Sequence, residues 1–292
     1  MSKYARQNQF FKVDVREKLN YVKQEFSMNR FFLTSALLCL CNAFVLHGAM
    51  RTSSEEHHPA FDLSHHIIEA GANYTWARIS PDGNPSSSGS LGGLQASYQY
   101  RAPDAFYGGA TFAWRQGSTS GSGIKRELLD FDLQERLGYT FAYSQNPYLF
   151  TLFSGFGYRY LGQEAKTNGN SVDFDYNEFY IPVGILFDGR ITPSFVMGVN
   201  LIWMPQVYPT VTISPIGGAR WKVTYQVDNF SLEIPLTFSI SQRYNCFVRL
   251  VPFVEVWHDG HTTATTTTGS SLNVPGNSYI FTGLNLNIGY SF

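Results

Sequence analysis

From residue 67 onward the chain alternates between apolar and polar positions in segment after segment. Ile68, Ala70, Ala72, Tyr74 and Trp76 take turns with Glu69, Gly71, Asn73 and Thr75. The same period of two carries Phe106, Ala110, Phe112 and Trp114, then Leu137, Tyr139, Phe141 and Tyr143, then Phe150, Leu152, Phe156 and Tyr158. It returns in Phe195, Met197, Val199, Leu201 and Trp203, and in Phe230, Leu232, Ile234, Leu236, Phe238 and Ile240. Alternation of this kind puts successive side chains on opposite faces of a β-strand. Ten segments show it: 65–79, 91–101, 105–116, 127–143, 148–161, 174–187, 195–207, 221–240, 246–258 and 278–292. Globular strands average about 5 to 6 residues, whereas a tilted strand crossing a bilayer needs about 9 to 11. These segments have the second length.

The connections alternate too. Residues 102–104, 144–147, 188–194 and 241–245 read as short turns, and 80–90, 117–125, 162–172, 208–220 and 259–276 as long loops rich in Ser, Thr, Gly or Asn. Short and long connections therefore gather at opposite ends, the arrangement of an outer-membrane barrel. The expected fold is all-β, a transmembrane antiparallel up-and-down β-barrel of about ten strands. Eight or twelve strands also fit boundaries read to within a few residues. A soluble sandwich or lipocalin-like barrel alternates as well. Here, however, the second face is mostly Gly, Ala, Ser, Thr, Asn and Gln, too polar for a packed soluble core and too sparsely charged for a soluble exterior. Aromatics also collect at the short-turn ends (Tyr98, Tyr100, Phe106, Phe141, Tyr148, Phe195, Phe238, Tyr290), as an interfacial girdle requires.

Composition sharpens this picture. The 24 Phe, 18 Tyr and 5 Trp outnumber the 21 basic and 22 acidic side chains, so there is ample apolar surface to bury. A mean hydropathy of −0.16 leaves no room for several apolar helical spans. A formal charge of −1, with no run of Lys and Arg, gives no field for nucleic acid. One apolar run, residues 31–46, follows Met28, Asn29 and Arg30 and is short for a spanning helix. It reads as the core of a signal peptide over residues 28–49, with cleavage after Ala43 or Ala49. Residues 1–27 are then an N-terminal extension ahead of the signal's own Met28, 50–64 a flexible periplasmic segment and 65–292 the barrel. Cys39 and Cys41 leave with the signal, and Cys246 remains, read as a buried thiol ahead of a disulfide between chains.

The final segment, GLNLNIGYSF, places Leu284, Leu286, Ile288, Tyr290 and Phe292 on one face and ends on an aromatic. In this it resembles the outer-membrane β-barrel proteins of Gram-negative bacteria, whose C-terminal strand carries such a signal for the barrel assembly machinery. The resemblance covers the chain from about residue 65 to its end. It implies residence in the cell outer membrane, with the lipid bilayer, lipopolysaccharide and the assembly machinery as partners. It implies no particular activity, because pores, adhesins and enzymes share the signature.

Function is read from the lumen and the loops. The inward face carries Arg115, Asp130, Asp132, Arg136, Arg159, Glu178, Glu233, Arg249 and Glu255. Both signs facing a narrow bore pair with each other, since unpaired ions there are costly, and a closed lumen is expected. A narrow passive channel is the alternative. Ten strands also resemble the omptin proteases, a family with acidic residues and a His in a groove near the outer rim. Asp130 and Asp132, set against His258, Asp259 and His261, would supply such a set, in which an imidazole takes a proton from water and an acid orients it. The competing reading pairs both acids with Arg115 or Arg136 and leaves the histidines in solvent.

His258 and His261, like His57, His58, His65 and His66 ahead of the barrel, lack the further ligands of a tight metal site. No metal and no cofactor are expected. The long polar loops suit a structural or surface-interaction role toward a host or envelope ligand, by a monomer. Tyr208, Ile213 and Ile216 form the contact surface there unless they pack against the rim. One residue fits poorly. Glu135 shares the outward face of Leu133 and Leu137, so a bulge or a nearer strand end is expected to remove it from lipid.

Overall fold

The computed structural model describes residues 65–142, 148–167, 170–214, 220–241, 245–265 and 274–292. The extension, the signal peptide, the 50–64 segment and Ile216 lie outside the described residues. So do His57 and His58.

The strands are β1 (His65–Pro81), β2 (Ser87–Arg101), β3 (Ala105–Gly121), β4 (Ile124–Ala142), β5 (Tyr148–Thr167), β6 (Asn170–Tyr180), β7 (Val183–Thr192) and β8 (Phe195–Trp203). There follow β9 (Thr210–Ser214), β10 (Arg220–Val223), β11 (Phe230–Glu233), β12 (Leu236–Ser241), β13 (Cys246–Asp259), β14 (Thr262–Thr265) and β15 (Asn277–Ser291). All belong to one antiparallel sheet, and β1 pairs with both β2 and β15, so the sheet closes into a ten-stranded barrel. Fifteen elements make ten walls because the later walls are interrupted. β6 and β7 break at Pro182, β8 and β9 around Pro205 and Pro209, and β11 and β12 at Pro235. Proline has no N–H for the ladder, so it confines itself to breaks and bulges. The carbonyls beside these breaks are still used, as in Ile181 N to Pro205 O at 3.1 Å and Gly198 N to Pro235 O at 2.7 Å.

Several segments read as loops are strand. The 117–125 connection shrinks to Ser122 and Gly123, both at positive φ (50° and 79°), as a two-residue type I′ hairpin turn requires. β5 runs on to Thr167 and β6 restarts at Asn170. At the other end, β7 reaches Thr192, and His65 and His66 belong to β1 rather than to a linker. With 19 residues in β4 and 20 in β5, these walls are about twice what a bilayer demands. The excess stands beyond the lipid, where the outward face meets water while Thr119, Arg126 and Leu128 stay buried inside. Sequence alternation vanishes there although the ladder continues.

The outward face is a belt of Leu94, Leu137, Leu201, Leu286 and Ile288, with Leu137 73% exposed. Tyr74, Trp76 and Trp203 lie exposed toward the long-connection end, and Phe106, Phe141, Tyr290 and Phe292 toward the short-turn end. At that end the barrel seam is tied by His66 N to Phe292 O at 3.0 Å and by the His66 ring, whose centroid is 5.0 Å from those of Tyr100 and Phe292. Glu135 stays on the outward face. Its register runs without a bulge between Ala110 and Phe156, contrary to the expectation of a local irregularity.

The inward face is less polar than its composition suggests. Tyr107, Phe153, Tyr176, Tyr180, Trp257, Tyr279 and Phe281 are all buried in one cluster inside the barrel. Rings fit where glycines face them across the ladder, as Gly157 faces Tyr180 and Gly184 faces Phe153 in this cluster, and Gly289 faces Phe247 in a smaller one with Ile67 and Val196. A Cβ at any of the three would meet the ring at 2.1 to 2.5 Å.

Candidate functional site

The centre of the lumen is an ion cluster enclosed by rings. Alternation along β3, β4 and β5 turns Arg115, Asp130 and Arg159 inward, and the register sets Arg115 opposite Asp130. Arg115 Nη2 lies 2.7 Å from Asp130 Oδ2, and Arg159 Nε donates to Asp130 Oδ1 at 2.8 Å. Arg115 also pairs with Glu255 at 3.1 Å, and Arg159 approaches Glu178 at 4.0 Å. Arg159 is completely buried, its guanidinium 4.4 Å from the ring centroid of Trp257 and 5.1 Å from that of Phe281. Arg115 lies 4.9 Å over the same Phe281. Arg115 and Arg159 thus each have both a carboxylate and a ring face, the arrangement that offsets desolvation.

A second layer lies nearer the short-turn end. Arg249 Nη1 donates to Glu69 Oε2 at 2.9 Å, and Ser97 Oγ donates to Glu69 Oε1 at 2.8 Å. Arg101 pairs with Asp188 and donates from Nε to Thr151 Oγ1 at 2.8 Å. Asn200 Nδ2 donates to Glu233 Oε2 at 2.8 Å, and Arg136 Nε to Gln134 Oε1 at 2.6 Å. Between these groups is a polar cavity of about 130 Å³. Glu69, Arg101, Asp188 and Gln134 were absent from the expected lumen set. Glu69 shares the inward parity of Asn73, so alternation alone turns it inward, whereas Asp188 lies in the 188–194 stretch that reads as a turn and is strand as far as Thr192.

The residues of the hydrolase reading are not gathered in one place. Asp130 is held by two guanidinium groups, and Asp132 accepts a hydrogen bond from Tyr180 O–H at 2.7 Å. Along β13, Trp257 and Asp259 point inward and are buried, while His258 points outward with Nδ1 3.2 Å from Asp228 Oδ2. His261 is exposed, its ring nitrogens 3.4 Å from Thr224 Oγ1. Gln206 Nε2, not a histidine, is the group 3.5 Å from Asp259 Oδ1. Among the described residues no group of three His, Cys, Asp or Glu side chains is placed to hold a metal ion. The expected contact surface is divided as well. Tyr208 is exposed, but Ile213 faces into the barrel core at 2% exposure, because Val211 and Ile213 continue the inward row of their wall. The outward row of β15, Leu284, Leu286, Ile288, Tyr290 and Phe292, is exposed along its whole length.

No protein-family model matches the chain, and no curated protein matches it. Solved structures do. The outer membrane protease OmpT from Escherichia coli aligns with a TM-score of 0.52 at 11% identity, over 78% of this chain and 96% of that one. The fold is that of the outer-membrane β-barrels. The translocator domain of the autotransporter NalP from Neisseria meningitidis aligns over 92% of this chain and 98% of its own at 10% identity, with a TM-score of 0.43. Ail, the attachment invasion locus protein of Yersinia pestis, covers 77% and 99% at 10% identity, with a TM-score of 0.35. At such identities the likeness is one of fold, and the barrel's activity rests on its own residues.

Proposed function

We propose that the protein is an integral barrel of the cell outer membrane with a closed lumen, working through the walls and turns that stand beyond the outer leaflet. The single observation that carries this reading is Arg159, fully buried across the bore between Asp130, Glu178 and Trp257. A solute path would have to break these ion pairs and displace the rings above them, and no part of that cost is returned by the solute. The hydrolase reading is weakened by the same cluster. A carboxylate held by two guanidinium groups is a poor base, and the outward His258 shares no side of the wall with it.

In this reading the Leu and Ile belt meets the lipid bilayer and lipopolysaccharide, and the outward row of β15 is the signal for the barrel assembly machinery. A host or envelope ligand is met at the outer end by a monomer, delivered through the inner membrane by the signal peptide. The test is conductance of the refolded mature chain in planar bilayers, with a peptide pool assayed for cleavage alongside. Silence in both is expected. Stepwise conductance would overturn the closed lumen, and cleavage abolished by Asp132→Asn would establish the hydrolase instead.

A further inference from the structure

At the outer end of the barrel is a cavity of about 320 Å³, a size within the range of small-molecule sites. Its walls include Ile124 of β4, Ala165 of β5, Val172 and Phe174 of β6, and Val274 and Pro275 just ahead of β15. Tyr176 also lines it, and that ring belongs to the buried cluster below. The cavity is therefore mainly apolar and closed on the bilayer side.

Arg126 of β4 lines the same cavity and is 4% exposed. Its Nη1 donates to Ser87 Oγ at 2.7 Å, and its Nε has no hydrogen-bond partner. Arg101, Arg115, Arg159 and Arg249 each pair with a carboxylate, whereas no acidic side chain among the described residues pairs with Arg126. Gln163, diagonal to it across the β4–β5 ladder, also lines the cavity, and its buried Oε1 is unpartnered. A buried guanidinium without a counter-charge is costly, and an anion that reaches it recovers the cost.

We propose that the outer mouth binds an amphipathic monoanion, a medium-chain carboxylate whose head accepts from Arg126 and whose chain lies against Ile124, Val172, Phe174 and Val274. Charge selects the head and the apolar lining selects the chain. The proposal rests on the closed-lumen reading, because a ligand at the mouth of an open pore would pass on through.

Binding of octanoate to the refolded mature chain in phosphatidylcholine nanodiscs tests it, read by calorimetry against empty discs. Octanoate is expected to bind, while octylamine and acetate are not. Arg126→Gln is expected to weaken octanoate roughly tenfold or more, the scale of one lost charge-assisted hydrogen bond. Ala165→Trp, which fills the cavity and leaves Arg126 in place, is expected to abolish it. Folding of both variants is checked by heat-modifiable migration on gels. No octanoate binding by the parent chain, equal binding of octylamine, or full binding by the two folded variants would overturn the proposal. Conductance of the same preparation reports on the lumen separately, so failure of the closed-lumen reading is distinguishable from failure of the mouth site.

Discussion

Tyr180 covers Gly157: the two face each other across the β5–β6 ladder, and a Cβ on Gly157 would lie 2.1 Å from the Tyr180 Cζ. The position of that ring has further consequences. Tyr180 O–H donates to Asp132 Oδ2 at 2.7 Å and accepts from Gln134 Nε2 at 2.8 Å, and the ring stands edge-on to Trp257 at 5.2 Å. A missing side chain on one strand thus seats the aromatic that caps the ion cluster.

Gly157→Ala is therefore expected to push Tyr180 off its seat and destabilise the barrel by about 1–3 kcal/mol, as overpacking does elsewhere. Tyr180→Phe keeps the ring and loses only the hydroxyl contacts, at a cost of about 1–3 kcal/mol if a buried Asp132 or Gln134 is left unmatched. Urea unfolding in vesicles measures both. A Gly157→Ala variant as stable as the parent would mean that the ring has room to slide.

This pair also marks where the sequence was legible and where it was not. Outward rows such as Ile68–Trp76 contrast with lipid-compatible neighbours, so the period of two and the ten walls could be read directly. The inward row mixes Gly157, Arg159 and Leu161, and its glycines resemble the lining of a wet pore. Only the cross-strand register shows that those glycines are seats for Tyr180, Phe153 and Phe247. Register depends on which residues oppose each other, which a single strand does not encode. The ends of β3, β4 and β5 give no such signal, since their outward positions, Ser118, Ser120, Lys125, Glu127, Glu164 and Lys166, are as polar as the loops. Arg126 escapes because it falls in the one-residue gap between the 117–125 connection and the 127–143 segment.

Asp130→Asn leaves Arg115 and Arg159 buried close together without the one carboxylate they share, and only Glu255 and Glu178 still face them. Breaking one partner of a buried ionic cluster costs about 3–5 kcal/mol. Replacing Arg115, Asp130, Arg159, Glu178 and Glu255 together by apolar residues of similar size should cost much less, because no member of the cluster is then left unpaired. Unfolding midpoints of the single and fivefold variants decide this. A single variant milder than the fivefold one would show that water, rather than Asp130, solvates the two arginines.

Glu135 is exposed on the lipid-facing wall between Leu133 and Leu137, with Ala110 and Phe156 beside it in the ladder. A lipid-facing acid at this depth is destabilising, though less so than the ~2–4 kcal/mol of Arg or Lys at the midplane. Glu135→Leu is expected to stabilise the folded barrel in vesicles by on the order of 1 kcal/mol. No gain would mean that this stretch sits at the interface and that the bilayer is centred closer to the short-turn end.

On the walls beyond the bilayer, Glu127 Oε1 lies 3.1 Å from both Lys125 and Lys166, and Lys166 also reaches Glu164 at 2.9 Å. Hydrogen bonds from Lys166 and then Lys125 hold the Glu127 carboxyl below its ordinary value of 4.5. A carboxyl lowered in the folded chain binds its proton more readily when the strand pair opens. The contribution is therefore full above pH 4.5 and fades as pH falls through the lowered folded value. These side chains are exposed, so the effect is small and screened by salt. Hydrogen exchange of the outer halves of β4 and β5 should accelerate as the pH drops below that point at low ionic strength, after correction for intrinsic rates. Glu127→Gln should exchange faster at neutral pH and lose the acid step, and an acid step that persists in Glu127→Gln would assign it to Glu164 or to the turn instead.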